Sequence, residues 1–178
     1  MRRHDPARRD RIVDACLEVV SQVGVAGTSH RRVAAEAGVP LGSMTYHFAG
    51  MDELLHEAFS RFARTVSDQF EASLATAQDA EGAARAVVAL ITDDVLSTRR
   101  ELVLTQELYT LAAREPAFRR VTNAWMGRSR TALERHFDPV TARLLDALIE
   151  GLTLHRALDT EPQDVATVRE AVSRITSG

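Results

Sequence analysis

A chain of 178 residues that is 45% hydrophobic and 26% charged is long enough to bury a core in one or two small domains, and it lies outside the disordered class. Its net charge of -3 conceals an asymmetry: residues 1–64 hold nine arginines against eight acids (+1), and residues 65–178 hold thirteen against seventeen (-4). No run of eighteen apolar residues occurs and the terminus MRRHDPARRD lacks the apolar stretch of a leader, so neither a membrane span nor a secretory signal is predicted, and a cytoplasmic protein is expected.

The chain opens on Arg2, Arg3, Arg8, Arg9 and Arg11 against Asp5 and Asp10, a cationic stretch suited to a nucleic-acid backbone or minor groove, or simply a solvated terminus. All 22 basic residues are arginine, the side chain whose planar fork matches phosphate oxygens. Asp5-Pro6 marks a helix start, and Ile12, Val13, Cys16, Val19, Val20 and Val23 form its apolar face, with Gly24 as its stop. Cys16, the single cysteine, cannot form an internal disulfide and reads as a buried, inert core thiol rather than a redox switch.

Thr28 to Phe48, TSHRRVAAEAGVPLGSMTYHF, compresses two short helices and a tight turn. Thr28 or Ser29 can cap a helix over His30–Ala37, in which Val33, Ala34 and Ala37 share one small apolar face. Gly38 stands where a left-handed residue ends a helix, and the chain turns through Val39 and Pro40. A second helix over Leu41–Phe48 places Leu41, Met44 and Phe48 inward and leaves Gly42, Ser43, Thr45, Tyr46 and His47 outward. This is the layout of a DNA-reading helix-turn-helix, whose second helix enters a major groove about 12 Å wide.

A long fourth helix follows over 51–77, with Met51, Leu55, Phe59, Phe62, Val66, Phe70 and Leu74 at spacings of three and four. Further helices are predicted over 80–97 and 99–114, and Glu115-Pro116, Asp138-Pro139 and Glu161-Pro162 mark three more starts. Leu104, Leu108, Tyr109, Phe118, Trp125 and Met126 are the candidate ligand contacts, although aromatics at this spacing equally describe a plain core. In 139–159, Leu144, Leu145, Leu148, Ile149, Leu152, Leu154 and Leu158 cover more than one stripe. Val165, Val168, Val172 and Ile175 then repeat like a coiled-coil seam. Both features predict a two-fold dimer interface made by Leu144, Leu148, Gly151, Leu152, His155, Val165, Val168, Val172 and Ile175, with a wholly intramolecular core as the alternative.

Catalytic signatures are absent: the histidines at 4, 30, 47, 56, 136 and 155 make no His-x-x-x-His pair, one cysteine cannot build a thiolate metal site, and no Gly-x-Ser-x-Gly or phosphate loop occurs. Neither enzyme activity, a metal nor a cofactor is expected.

Over residues 8–60 the sequence resembles the TetR family of transcriptional regulators, on a Thr-led helix at Thr28, AEAGV at 35–39, Gly42-Ser43 and Tyr46-His47-Phe48. Thr45 stands where such proteins usually carry an aromatic residue, and Met51 where many carry a lysine. The resemblance implies an all-α fold with a helix-turn-helix domain over 1–50 and a helical effector-binding and dimerisation domain over 51–178. It further implies a homodimer on a pseudo-palindromic double-stranded operator, released by a small, largely apolar effector. Thr28, Ser29, His30 and Arg31 would then position the protein on phosphates, and Gly42, Ser43, Thr45, Tyr46 and His47 would form the recognition surface. The alternative is a ligand- or lipid-carrying bundle whose helix-turn-helix no longer reads DNA. An effector among the helices over 99–137 would change operator affinity by altering the spacing of the two recognition helices.

Overall fold

The computed structural model describes residues 7–177, and its described residues form helices and connecting turns without a strand. In chain order these are α1 (Arg8–Gly27), α2 (His30–Glu36), α3 (Gly42–His47), α4 (Met51–Ala75), α5 (Ala80–Ala89), α6 (Arg99–Arg114), α7 (Pro116–Leu133), α8 (Pro139–Leu158) and α9 (Val165–Thr176). A π-helical turn, Leu90–Asp94, extends α5. The compact units are drawn differently from a division at residue 50: one holds the chain through Ala63 with Val103–Thr122, the other Arg64–Leu102 with the chain from Asn123.

In the first unit α1 buries Ile12, Val13, Cys16 and Val20, and the opening half of α4 buries Leu54, Leu55, Ala58, Phe59 and Phe62. Arg9 pairs with Glu57, and Arg61 reaches Asp14 at 2.9 Å and Asp10, so ion pairs join the two helices along their polar edges. Of the cationic stretch, Arg8, Arg9 and Arg11 are helical and Arg9 is paired, while Arg2, Arg3 and the Pro6 start signal lie outside the described residues. Val23 is exposed, because the chain kinks one residue later instead of completing another turn of apolar face.

At that kink Gly24 adopts φ +71° and ψ 170°, a region essentially closed to other residues. A Cβ there would sit 2.6 Å from a carboxylate oxygen of Glu107. Gly24→Ala is therefore expected to cost about 1–3 kcal/mol, measured by urea denaturation; an unchanged midpoint would show that the kink can relax at no cost. Cys16 is fully buried, and desolvation pushes its thiol up to about 12. It should resist a thiol reagent in the native state and react fully in denaturant; rapid native labelling would contradict this packing.

In the second unit Phe70 and Leu74 of α4, Ala83 and Val87 of α5, Leu90 and Ile91 of the π turn, Ala132 and Leu133 of α7, Ala142, Leu145 and Ile149 of α8, and Val168 and Val172 of α9 make one apolar cluster. The helix expected over 80–97 stops short because the π turn closes with the Val95 amide on the Leu90 carbonyl and Leu96 turns left-handed at φ +52°. The Arg156 guanidinium on α8 donates to the Val95 carbonyl and fixes this exit.

Pro139 opens α8 behind Asp138, as its spacing predicts, and the Asp138 carboxylate accepts from the Val140 and Thr141 amides at 2.9 and 3.2 Å. The start expected at Pro162 is corrected to Val165: Asp164 accepts from the Ala166 and Thr167 amides, so the cap displaces the proline as the start signal. The Thr141 and Thr167 hydroxyls and the capped amides hold the Asp138 and Asp164 carboxyls below their ordinary range.

Candidate DNA interface and effector region

The candidate interface is α2, the turn after it, and α3. The Thr28 hydroxyl closes the end of α1 on the Gly24 carbonyl at 2.8 Å, and Ser29 takes the capping role, accepting from the Arg32 amide at 3.4 Å. Thr28 is thus the C-cap of α1, not the N-cap of α2. Val33 and Ala34 are buried while Arg31 and Arg32 are exposed, so α2 turns a basic edge outward. Arg32, absent from the expected phosphate contacts although it adjoins Arg31 in the sequence, also donates to the Gly27 carbonyl at 2.7 Å. His30 is half-buried, and its Nε2 is buried without a hydrogen-bond partner.

Gly38 adopts φ +62°, and the Val39 amide returns to the Ala34 carbonyl at 3.0 Å, which reverses the chain before Pro40. In α3, Met44 is fully buried and Phe48 is 2% exposed, so these two side chains anchor the helix. Leu41 departs from expectation: it is 54% exposed, because its backbone precedes the first helical residue and the inward stripe begins only at Met44.

The outward face carries Gly42, Thr45 and Tyr46, with Ser43 and His47 half-buried beside them. Tyr46 is 77% exposed and meets His47 edge to face, ring centroids 4.9 Å apart. The His47 ring lies 6.5 Å from the Phe48 ring, and the Arg9 guanidinium sits over the Phe48 ring, 4.9 Å from its centroid. A phenol hydroxyl, a hydroxyl and an imidazole are thereby presented from a helix only six residues long, held by buried anchors at its base. Such donors and acceptors suit phosphates and base edges.

The candidate effector residues separate by burial. Leu104, Leu108 and Phe118 are closed in the first unit, and Phe118 packs against Phe59 at 6.1 Å and 87° and against His56 at 5.8 Å. Tyr109, in the same unit, and Trp125 and Met126, in the other, keep part of their surface exposed. Among the predicted dimer residues, Val168 and Val172 are spent inside their own cluster, with 0% and 2% exposure, and have no surface left for a partner. Leu148, Leu152 and Ile175 pack partly on that cluster, whereas Leu144, Gly151, His155 and Val165 face outward.

Residues 12–58 match the family described as "Bacterial regulatory proteins, tetR family", and residues 78–178 match the "Tetracyclin repressor-like, C-terminal domain". The HTH-type transcriptional regulator BetI of Burkholderia mallei (strain NCTC 10229) is 30% identical over 166 residues, covering 88% of this chain and 85% of that protein. Among solved structures, SCO7518 from Streptomyces coelicolor A3(2) is 55% identical with a TM-score of 0.91, over 97% of this chain and all of that one. The multidrug binding protein EbrR complexed with ethidium is 38% identical with a TM-score of 0.79, over 95% and 98% of the two chains.

Proposed function

Because the chain belongs to the tetR family of bacterial regulatory proteins, and is therefore a DNA-binding transcription regulator and not an enzyme, we propose that it is a homodimeric repressor released from a pseudo-palindromic operator by a small, largely apolar effector. The observation that carries the reading is the exposed Tyr46 on a recognition helix anchored by Met44 and Phe48. Ser43, Thr45, Tyr46 and His47 supply the groove contacts, and Thr28, Ser29, His30 and Arg31, with Arg32 beside them, fix the register on phosphates.

The effector class is supported by EbrR, solved with ethidium, proflavin and malachite green. Aromatic molecules of that kind stack on large aromatic side chains, and the predicted contacts that keep exposed surface are Tyr109 in the first unit and Trp125 and Met126 in the second. Release follows if the effector binds the conformation with the wrong recognition-helix spacing more tightly than the operator-competent one.

Pairing of two subunits is supported by an outward stripe on α8: Val140, Leu144, Gly151, His155 and Leu158 are all exposed, on the side of the helix opposite the buried Ala142, Leu145 and Ile149. Gly151 has nothing within 4 Å of its Cβ position, so another backbone can approach there. On this reading Tyr46→Ala weakens specific operator binding by about 1–3 kcal/mol, leaving helix content and oligomeric state as they were. A gel shift on the selected operator is the measurement, and unchanged affinity would remove α3 from the recognition role.

A further inference from the structure

The second unit carries an open groove of about 800 Å³ between α5 and α9 that neither the DNA-reading residues nor the effector candidates line. Its volume lies in the range of small-molecule sites, roughly 300–1,000 Å³. Ala84, Val88 and Ala89 of α5 and Val165 and Val172 of α9 give it an apolar lining, and the charged side chains along it are Glu81, Arg85, Asp93 and Arg169. Three of those four charges are already engaged. Arg85 pairs with Glu81 at 2.6 Å one helical turn away, and Asp93 accepts the Thr92 hydroxyl at 2.7 Å. Arg169 alone has no ion pair or hydrogen bond from its guanidinium among the described residues.

Val165, Arg169, Val172 and Thr176 recur at spacings of four, three and four, so one side of α9 presents a free guanidinium in line with the exposed Val165, with Val172 closed at the base of the groove and Ser173 beside it. A planar fork without a protein partner matches a carboxylate through two parallel hydrogen bonds, whereas an ammonium head would meet only repulsion from it. The alkyl stem of the same arginine continues the apolar surface toward the valines.

We propose that the α5–α9 groove is a second small-molecule site, which takes an amphiphilic carboxylate with its head on Arg169 and its alkyl tail along Ala84 and Val88. The site stands apart from the predicted effector contacts, so its occupancy does not depend on the identity of the effector.

The probe is dodecanoate below its micellar range, titrated into the full chain by calorimetry, with dodecyltrimethylammonium as the charge-reversed control. Dodecanoate should bind saturably; Arg169→Gln should weaken it by about tenfold or more, and the cationic amphiphile should bind far more weakly than the anion. Ala84→Trp, which fills the groove, should abolish binding, and Ala89→Trp on the same wall gives the same reading if the first variant fails to fold. Trp125→Ala should leave dodecanoate affinity unchanged. The proposal is overturned if the wild-type chain takes up no dodecanoate or if the groove-filling variants bind it normally. It is equally overturned if Arg169→Gln makes no difference, or if Trp125→Ala is the variant that loses binding.

Discussion

Leu144→Asp should convert the protein to a single subunit and lower its affinity for a palindromic duplex by about two orders of magnitude or more. The residue is 51% exposed, so its replacement removes little from the chain's own core, which α8 builds from Ala142, Leu145 and Ile149 on its other side. In a paired state the same carboxylate would be buried in the apolar seam, and the two-fold symmetry would bury a second copy of it there. Desolvating two like charges outweighs the apolar area that the stripe contributes. Loss of pairing then makes the second half-site contact an independent event, which removes the effective-concentration gain and leaves only half-site affinity. Sedimentation and a gel shift read the two consequences separately. A variant that stays dimeric would place the interface elsewhere than on α8, while a monomer that still binds the palindrome tightly would mean that one recognition helix suffices.

The part of this molecule that is legible in the sequence is the part whose rules are local. Gly24 kinks α1 three residues before its end, and Gly38 follows the end of α2, both at positive φ because no other residue adopts it cheaply, and Asp138-Pro139 opens α8 because carboxylate and proline act on the same turn. Burial of Met44 and Phe48 follows from their spacing in a short helix that has only one inward side. What escaped the pattern is set by competition between neighbours. Pro162 promised a start that Asp164 supplies, since two amides bonded to a carboxylate decide the first turn more firmly than a fixed φ three residues earlier. The π turn at Leu90–Asp94 has no sequence signature, being a local adjustment to the Arg156 contact and the packing of Leu90 and Ile91. Periodicity likewise could not assign the α9 seam: Val168 and Val172 repeat as an interface would, and only the cluster formed with α5 and α8 shows that their surface is already consumed.

The same ambiguity of apolar spacing governs the effector region, and it separates two variants that the sequence places in one group. Phe118→Ala should destabilise the fold by about 3–5 kcal/mol, because the ring is 2% exposed and is packed edge-on to Phe59 with His56 on another side, leaving a void that α-helical backbone cannot readily close. At about 2–4 °C per kcal/mol for a chain of this size, thermal melting at fixed protein concentration should fall by roughly 6–20 °C, with or without effector. On the effector reading proposed above, Trp125→Ala removes a half-buried ring, so a smaller loss of stability should accompany a larger loss of binding to an aromatic effector. The discriminating quantity is the ratio of the two effects: a core position moves the melting temperature and leaves the effector-induced shift intact, whereas a contact position does the reverse. Should Phe118→Ala melt near the wild-type temperature, its closed environment would have to be a collapsed ligand pocket instead of a packed core.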